Sequence, residues 1–276
     1  MPAFKHLALA TLCLFSLLDA SAQGLRHAFG NDGDDPFSAS LGLAVAAAPE
    51  YVGARHIRAS AVPEFNVAYR TRDLGRFALG TAAGGLVWLP VETSLVSAGL
   101  LLSYDSGRKD GADGDAYRPG GARLRGLGAI RGSVLYGGFA SMDLGVVALT
   151  AYALKAPSGK GSSGAQGALS LEVPLPAPGG VEMSLSASLS IADRRYMQAY
   201  FGVDARQSQR SGLARHEAAG GLKSVGLSVE ASHALSKTWH LQGSVGAERL
   251  LRSAASSPIT ERRLQPRAAV GLSYIF

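Results

Sequence analysis

The stretch Val181–Ile191 reads VEMSLSASLSI, with apolar residues at its odd positions and, after Glu182, serine at every even one. A period of two is the mark of a β-strand with two unlike faces, and it rules out a helix over this stretch. The rhythm recurs at Ile57–Tyr69, Ala165–Val173, Val225–Leu235 and Ala268–Phe276. In each, one face is apolar while the other is small or polar. A soluble strand with one face in water could be written the same way. Alternation therefore fixes strands but leaves the solvent of each face open.

The N-terminus narrows the choice. Lys5 precedes an apolar run from Leu7 to Leu18, followed by Ala20-Ser21-Ala22 and Gln23. A basic start, a short apolar core and an A-x-A site predict a secretory signal peptide over 1–22, cut after Ala22. The run is too short to span a bilayer as a helix, and no later uncharged apolar run is long enough. The longest candidate, Phe77–Val91, is interrupted by Gly80, Gly84, Gly85 and Pro90. Cys13, the single cysteine, lies inside the leader, so the mature chain 23–276 has no disulfide to stabilise it.

Hydrophobic residues make up 47% of the chain, yet aromatics are only 7% and there are 35 glycines. Apolar content of that kind, Ala, Leu and Val between turns, suits many short strands. The chain ends on Phe276, with Tyr274, Leu272 and Val270 at alternate positions before it. A terminal aromatic on an alternating strand, here Tyr274 and Phe276, resembles the assembly signal of bacterial outer-membrane barrels. Export, alternation and turn-rich spacing together predict an all-β transmembrane antiparallel up-and-down barrel in the outer membrane rather than a soluble sandwich. In such a barrel the apolar face meets lipid and the serine face meets the lumen.

Candidate strands fall at 38–48, 57–70, 76–90, 93–105, 131–141, 142–155, 164–174, 180–191, 196–205, 221–235, 238–251 and 265–276. That is about twelve, with ten as the alternative if 196–205 is not a membrane strand and another pair merges. With both termini in the periplasm, parity puts the long segment Asp105–Ile130 on the periplasmic side, where it would be a partner-binding feature.

No sequence motif supplies chemistry. Leu154 stands where a phosphate-binding loop ending at Gly159-Lys160 would need glycine, and Gly126–Arg131 lacks the last glycine of a dinucleotide fingerprint. Asp110, Asp113 and Asp115 lack the spacing and closing glutamate of a calcium loop. No cofactor, metal or nucleic-acid motif is present, and the chain reads as a non-enzyme. A barrel hydrolase would draw on His27, His56, His216, His233 or His240 paired with a nearby Ser or Asp. His233 lies on the apolar register of its strand, and His240 beside Trp239 reads as an interfacial pair. The net charge of +6 survives removal of the leader, because Lys5 and Asp19 cancel. Arginines in turns, such as Arg70, Arg72, Arg262 and Arg263, could meet lipid phosphates or lipopolysaccharide.

Several segments, taken in order, resemble the MipA/OmpV family, outer-membrane barrels named for a protein that interacts with the lytic transglycosylase MltA. They are Pro49-Glu50-Tyr51-Val52-Gly53, Pro63, Leu124–Gly128, Tyr196–Val203 with Tyr200-Phe201-Gly202, Ser211-Gly212-Leu213, Ala218-Ala219-Gly220, Trp239, Arg249-Leu250-Leu251, Ala254–Ile259 with Ser257-Pro258, and Gly271–Phe276. Arg252-Ser253 and His216 depart from the family pattern. The resemblance implies a scaffold that anchors a murein-degrading transglycosylase together with a bifunctional penicillin-binding protein, so that peptidoglycan cutting and synthesis are coordinated. A small diffusion channel, or an adhesion or stress-response barrel, is the alternative.

Overall fold

The computed structural model describes residues 36–81, 84–111, 114–115, 117–157 and 164–276. The predicted leader, its cleavage site, Cys13, His27 and Asp113 lie outside them. Twelve strands form a closed antiparallel barrel: β1 (Phe37–Pro49), β2 (Ile57–Arg70), β3 (Arg76–Gly80), β4 (Gly85–Glu92), β5 (Val96–Asp105), β6 (Ser133–Asp143), β7 (Ala148–Lys155), β8 (Ala165–Leu175), β9 (Val181–Ala192), β10 (Gly221–Ala234), β11 (Trp239–Leu250) and β12 (Leu264–Ile275). Each strand pairs with its sequence neighbour, and β1 closes on β12 with Leu41 opposite Tyr274 and Ala47 opposite Ala268. Among the described residues three short α-helices lie in the connections between strands: α1 (Arg194–Phe201), α2 (Ala205–Ser211) and α3 (Arg252–Ser256).

The serine face is inside. Ser186 and Ser190 are 6% and 4% exposed, whereas Leu189 and Ile191 on the same strand are 38% and 52% exposed. Leu41, Leu43 and Val45 of β1, Leu227 of β10, Val245 of β11 and Val270 of β12 likewise point outward. Apolar outside and hydroxyl inside is the reverse of a soluble protein, and it is the arrangement that a lipid surround stabilises.

The count of twelve matches the sequence expectation through two corrections of opposite sign. The segment 76–90 is a hairpin, not one strand: the chain reverses at Thr81, where Gly84 N–H donates to the Thr81 carbonyl at 3.2 Å, and β3 then pairs with β4. The segment 196–205 is helical, not extended. Tyr196, Met197 and Phe201 are buried together on one helical face, and the Asp193 side chain caps the helix by accepting from Tyr196 N–H. Splitting one strand and losing a later one restores the total but reverses parity for everything between them. Asp105–Ile130 therefore lies at the end opposite the termini, not beside them.

All the long connections share that far end: 49–57, 105–133, 155–165, 192–221 and 250–264. At the near end, with both ends of the barrel strands, lie the tight turns 70–76, 92–96, 143–148, 175–181 and 234–239. An aromatic belt marks this near rim. Phe37, Tyr69, Phe77 and Trp88 are successive register neighbours, Phe77 stacks on Trp88 at 6.2 Å, and Tyr274 packs edge-on against Trp239 and Phe276 at 5.2 and 5.0 Å. Such rings favour the membrane–water boundary.

The lumen is not uniformly lined. From β4 to β7 its wall carries large apolar groups, with Val87, Leu89, Leu101, Leu135, Phe139 and Leu154 in one buried cluster beside Ser103 and Thr150. From β8 to β12 it is Ser, Gly and charge. One side of the barrel is thus filled by side chains, which the serine face alone did not foretell.

The two ends make a topological prediction. With Cys13 in the segment expected to be removed, the variants Gln209→Cys and Val146→Cys each carry one thiol, in α2 and in the turn 143–148. A membrane-impermeant maleimide is expected to label Cys at 209 on intact cells and Cys at 146 only after the outer membrane is permeabilised. The opposite pattern would overturn the assignment of ends.

Candidate functional site

The far end is closed by a cap that four separate connections build together. In the first, Tyr51 is buried and its hydroxyl donates to Glu261 Oε2 at 3.0 Å while lying 3.2 Å from the Ile259 carbonyl. Gly53 adopts φ +102°, a left-handed conformation that favours glycine. Its N–H donates to Gln265 Oε1 at 2.8 Å, and its carbonyl accepts from the amides of Glu261 and Arg262. The 49–57 turn thereby clasps the 250–264 connection.

The 192–221 connection supplies the helices. Ser257 Oγ donates to the Phe201 carbonyl at 2.6 Å, and Phe201 itself is fully buried. Asp204 and Gln207 form a reciprocal capping box at the start of α2, and Gly212 closes that helix at φ +73°. Gln207 Nε2 donates to the Leu127 carbonyl at 2.6 Å, which ties α2 to the 105–133 connection. From there Arg123 Nη2 donates to the Pro258 carbonyl at 2.8 Å. The connections 105–133 and 250–264 are half a barrel apart in strand order, so this contact crosses the mouth.

A small core holds the four together. Tyr51, Ala54, Leu124, Leu127, Val203, Leu213 and Ile259 form one buried cluster, with at least one residue from each connection. None of these short segments buries enough apolar surface to be ordered alone, so the cap is a cooperative unit.

Beneath it lies a cavity of about 320 Å³. Its roof includes Tyr51, Arg108, Tyr196 and Tyr200 from the cap, and its walls include Leu101, Leu135 and Leu154 on one side and Ser186, Gln242 and Glu248 on the other. Glu248 faces two cations, Arg267 Nη2 at 3.2 Å and Lys223 Nζ at 3.7 Å. Tyr200 donates its hydroxyl to Asp105 at 2.6 Å. Burial, and then the Asp105 charge, push that phenol well above its ordinary value, so it stays a donor at any physiological pH. Burial pulls the Arg108 guanidinium down from its ordinary value, although a guanidinium remains charged throughout the physiological range.

Of the positions singled out in the sequence, Pro49, Tyr51, Gly53, Tyr200, Phe201, Gly202, Ser211, Gly212, Ser257 and Pro258 all fall in or beside the cap. Trp239, Tyr274 and Phe276 sit together at the other rim. The histidines do not converge. His56 is exposed in the 49–57 turn, and His233 is half-buried on the outer register with its Nδ1 3.2 Å from the Gly180 carbonyl. His240 is opposite Ser273 on the lumenal register, not paired with Trp239 at the lipid boundary. His216 Nε2 lies 3.0 Å from the Ser253 carbonyl and 3.3 Å from its hydroxyl, and among the described residues no acid orients the ring. This contact pins α3 to the 212–220 segment. Asp110 and Asp115 serve the loop itself: Asp110 accepts from Gly126 N–H, and Asp115 pairs with Lys109 at 2.8 Å. Arg108, Lys223, Glu248 and Arg267 were missed. For Glu248 and Arg267 a usable signal existed, a charge on the inner register of a membrane strand.

The family model of the MltA-interacting protein MipA matches residues 41–276. The chain belongs to that family. No curated protein matches it in sequence. Among solved structures it is similar to an outer-membrane channel from Pseudomonas putida F1, at 14% identity over 90% of this chain and 98% of that one, with a TM-score of 0.48. It is also similar to the translocator domain of the autotransporter NalP from Neisseria meningitidis, at 9% identity over 91% and 92% of the two chains, with a TM-score of 0.47. A MipA-family chain folded as a closed barrel with a lipid-type exterior is an outer-membrane protein. In such barrels the tight turns are periplasmic and the longer loops extracellular, so the cap of this MipA-family barrel faces outward.

The cap's cooperativity is testable at one atom. Ser257→Ala removes a buried hydroxyl that serves the Phe201 carbonyl and the Ile259 amide, a loss of about 1–3 kcal/mol. Faster tryptic cleavage at Arg206 and Arg210 is expected, with the barrel still resistant to unfolding in cold detergent. Unchanged cleavage would show that the four connections are ordered independently.

Proposed function

We propose that this MipA-family barrel is a non-enzymatic outer-membrane scaffold that holds a lytic transglycosylase at its periplasmic rim. A bifunctional penicillin-binding protein belongs to the same assembly in this reading, so that peptidoglycan cutting and synthesis stay coupled. The observation that carries it is the character of the periplasmic turns. Leu74, Leu95, Leu144, Val146 and Leu235 are 59%, 49%, 49%, 76% and 54% exposed, one or two on nearly every turn, and Phe276 beside them is 75% exposed. Tight turns are normally polar, and a ring of exposed aliphatic side chains is the composition of a docking rim. The family description supplies the partner class.

The sequence expectation sited partner binding in the segment Asp105–Ile130. That segment belongs to the outward cap, because the hairpin at 76–90 reverses its side, and the contact moves to the turns. The chain reaches the membrane through a leader over 1–22, with Tyr274 and Phe276 as the handover signal to the barrel-assembly machinery.

A pull-down from detergent-solubilised envelopes with the folded barrel tests the reading. A lytic transglycosylase is expected to be enriched over an unrelated barrel of similar size. Leu144→Asp with Val146→Asp should cut that enrichment about tenfold, while deletion of 107–121 should leave it intact. No enrichment with the wild-type barrel would remove the scaffold reading.

The channel alternative makes its own forecast. Because the aliphatic wall narrows the lumen and the cap crosses its mouth, planar bilayers holding the wild-type barrel are expected to stay silent, and deletion of 107–121 to give discrete openings. Steady conductance from the wild type would favour a channel instead.

A further inference from the structure

Among the charged groups around the lumenal cavity, Arg108 stands apart. It is 3% exposed, and among the described residues its side chain makes one hydrogen bond, from Nη1 to the Tyr200 carbonyl at 2.8 Å. Among the described residues, its Nε has no acceptor and no carboxylate lies within 4.0 Å of the guanidinium. The acids that share the cavity are differently placed. Glu248 has Arg267 and Lys223, Asp105 has the Tyr200 hydroxyl and the Gly107 amide, Glu64 accepts from Gln242, and Glu230 sits on β10 between Ser184 and Ser244 in the register. The Asp110 charge acts on it from beyond ion-pair distance; a buried cation held in no close ion pair is costly, and a buried donor without an acceptor adds to the cost. A fold can carry such a group when the missing partner is a ligand.

The rest of the cavity says what that ligand is like. Opposite its polar wall, Leu101, Leu135 and Leu154 present a continuous apolar surface. A space of about 320 Å³ is within the range of small-molecule sites, which combine apolar walls with a few placed polar groups. We propose that the cavity under the cap binds a small amphipathic anion, with its carboxylate or phosphate head on Arg108 and its single apolar chain along Leu101, Leu135 and Leu154. Arg suits either head, because its planar fork matches both geometrically. The site is independent of the periplasmic rim and does not rest on the scaffold reading.

Octanoate, octyl phosphate, octan-1-ol and acetate are the probes, titrated by calorimetry into the full mature barrel refolded in amphipol, with an unrelated barrel as the background for partition. Octanoate or octyl phosphate is expected to bind at least tenfold more tightly than octan-1-ol, which lacks the charge, and than acetate, which lacks the chain. Whichever anion is tighter identifies the head as carboxylate or phosphate. Arg108→Met is expected to weaken the anions at least tenfold and leave octan-1-ol unchanged. Leu135→Ser is expected to weaken octanoate and octan-1-ol alike. Heat-modifiable mobility in gels checks that each variant is a folded barrel, and the four wild-type titrations decide the matter even where a variant does not fold. Octan-1-ol binding as tightly as octanoate, acetate binding as tightly as octanoate, or octanoate binding no better than to the unrelated barrel would each overturn the proposal.

Discussion

In a hydrocarbon surround no water is present to satisfy an open backbone edge, and each unpaired amide or carbonyl there costs several kcal/mol. The pairing of β1 with β12 meets that demand, and the rest of the molecule follows from it. Closure fixes which face of each strand is outside. Once Leu41 is opposite Tyr274, the period of two carries Leu41, Leu43 and Val45 of β1 and Val270, Leu272 and Tyr274 of β12 to lipid, and Gly42, Gly271 and Ser273 to the lumen. A slip of one residue would invert both faces at once. The register is therefore held by the whole alternating pattern rather than by any single contact.

The lumen shows what closure leaves free. A twelve-strand barrel is near the size at which side chains still fill much of the interior, and this chain fills it unevenly. Large aliphatic groups on β4 to β7 occupy one side, while serine and glycine on β8 to β12 leave the other open enough for a cavity. The polar side also carries a largely buried charge cluster. Lys223 and Arg267 share Glu248 at the upper end of β10 to β12, close under the cap. In that low-dielectric space an ion pair needs both members, which ties these three strands to one another.

Strand periodicity was legible in the sequence almost wherever strands occur, because alternation is a local property of the chain. The two misreadings have physical causes. The sequence between β3 and β4 is made of small residues with neither proline nor an Asn-Gly pair, so the apolar run appears unbroken across it. The segment 196–205 is rich in aromatic residues, which favour strands, yet Tyr196, Met197, Tyr200 and Phe201 follow the spacing of a helix, and Asp193 is its cap. That cap residue was the available clue. The cavity was far less legible. Its lining comes from strands all round the barrel and from loops distant in sequence, and Arg108 is an ordinary loop arginine until the fold buries it.

Most of the family resemblance falls on the cap, and physics accounts for why. A lipid-facing strand asks only for alternation, so Leu, Val or Ile serve equally and no particular residue becomes a signature. The cap asks for more. Gly53 and Gly212 must take up left-handed backbone, the Tyr51 hydroxyl must reach across to a connection that closes the last hairpin, and the Ser257 hydroxyl must meet the Phe201 carbonyl. Each requirement admits one residue type or a few. Such positions, far apart in the chain, cannot be met one at a time, because each connection orders another. Two of the connections spring from opposite sides of the barrel, so the cap can assemble only after β1 has met β12. The most specific part of this sequence thus depends on its least specific part: the alternating strands build the frame, and the frame brings the distant loop residues to one place.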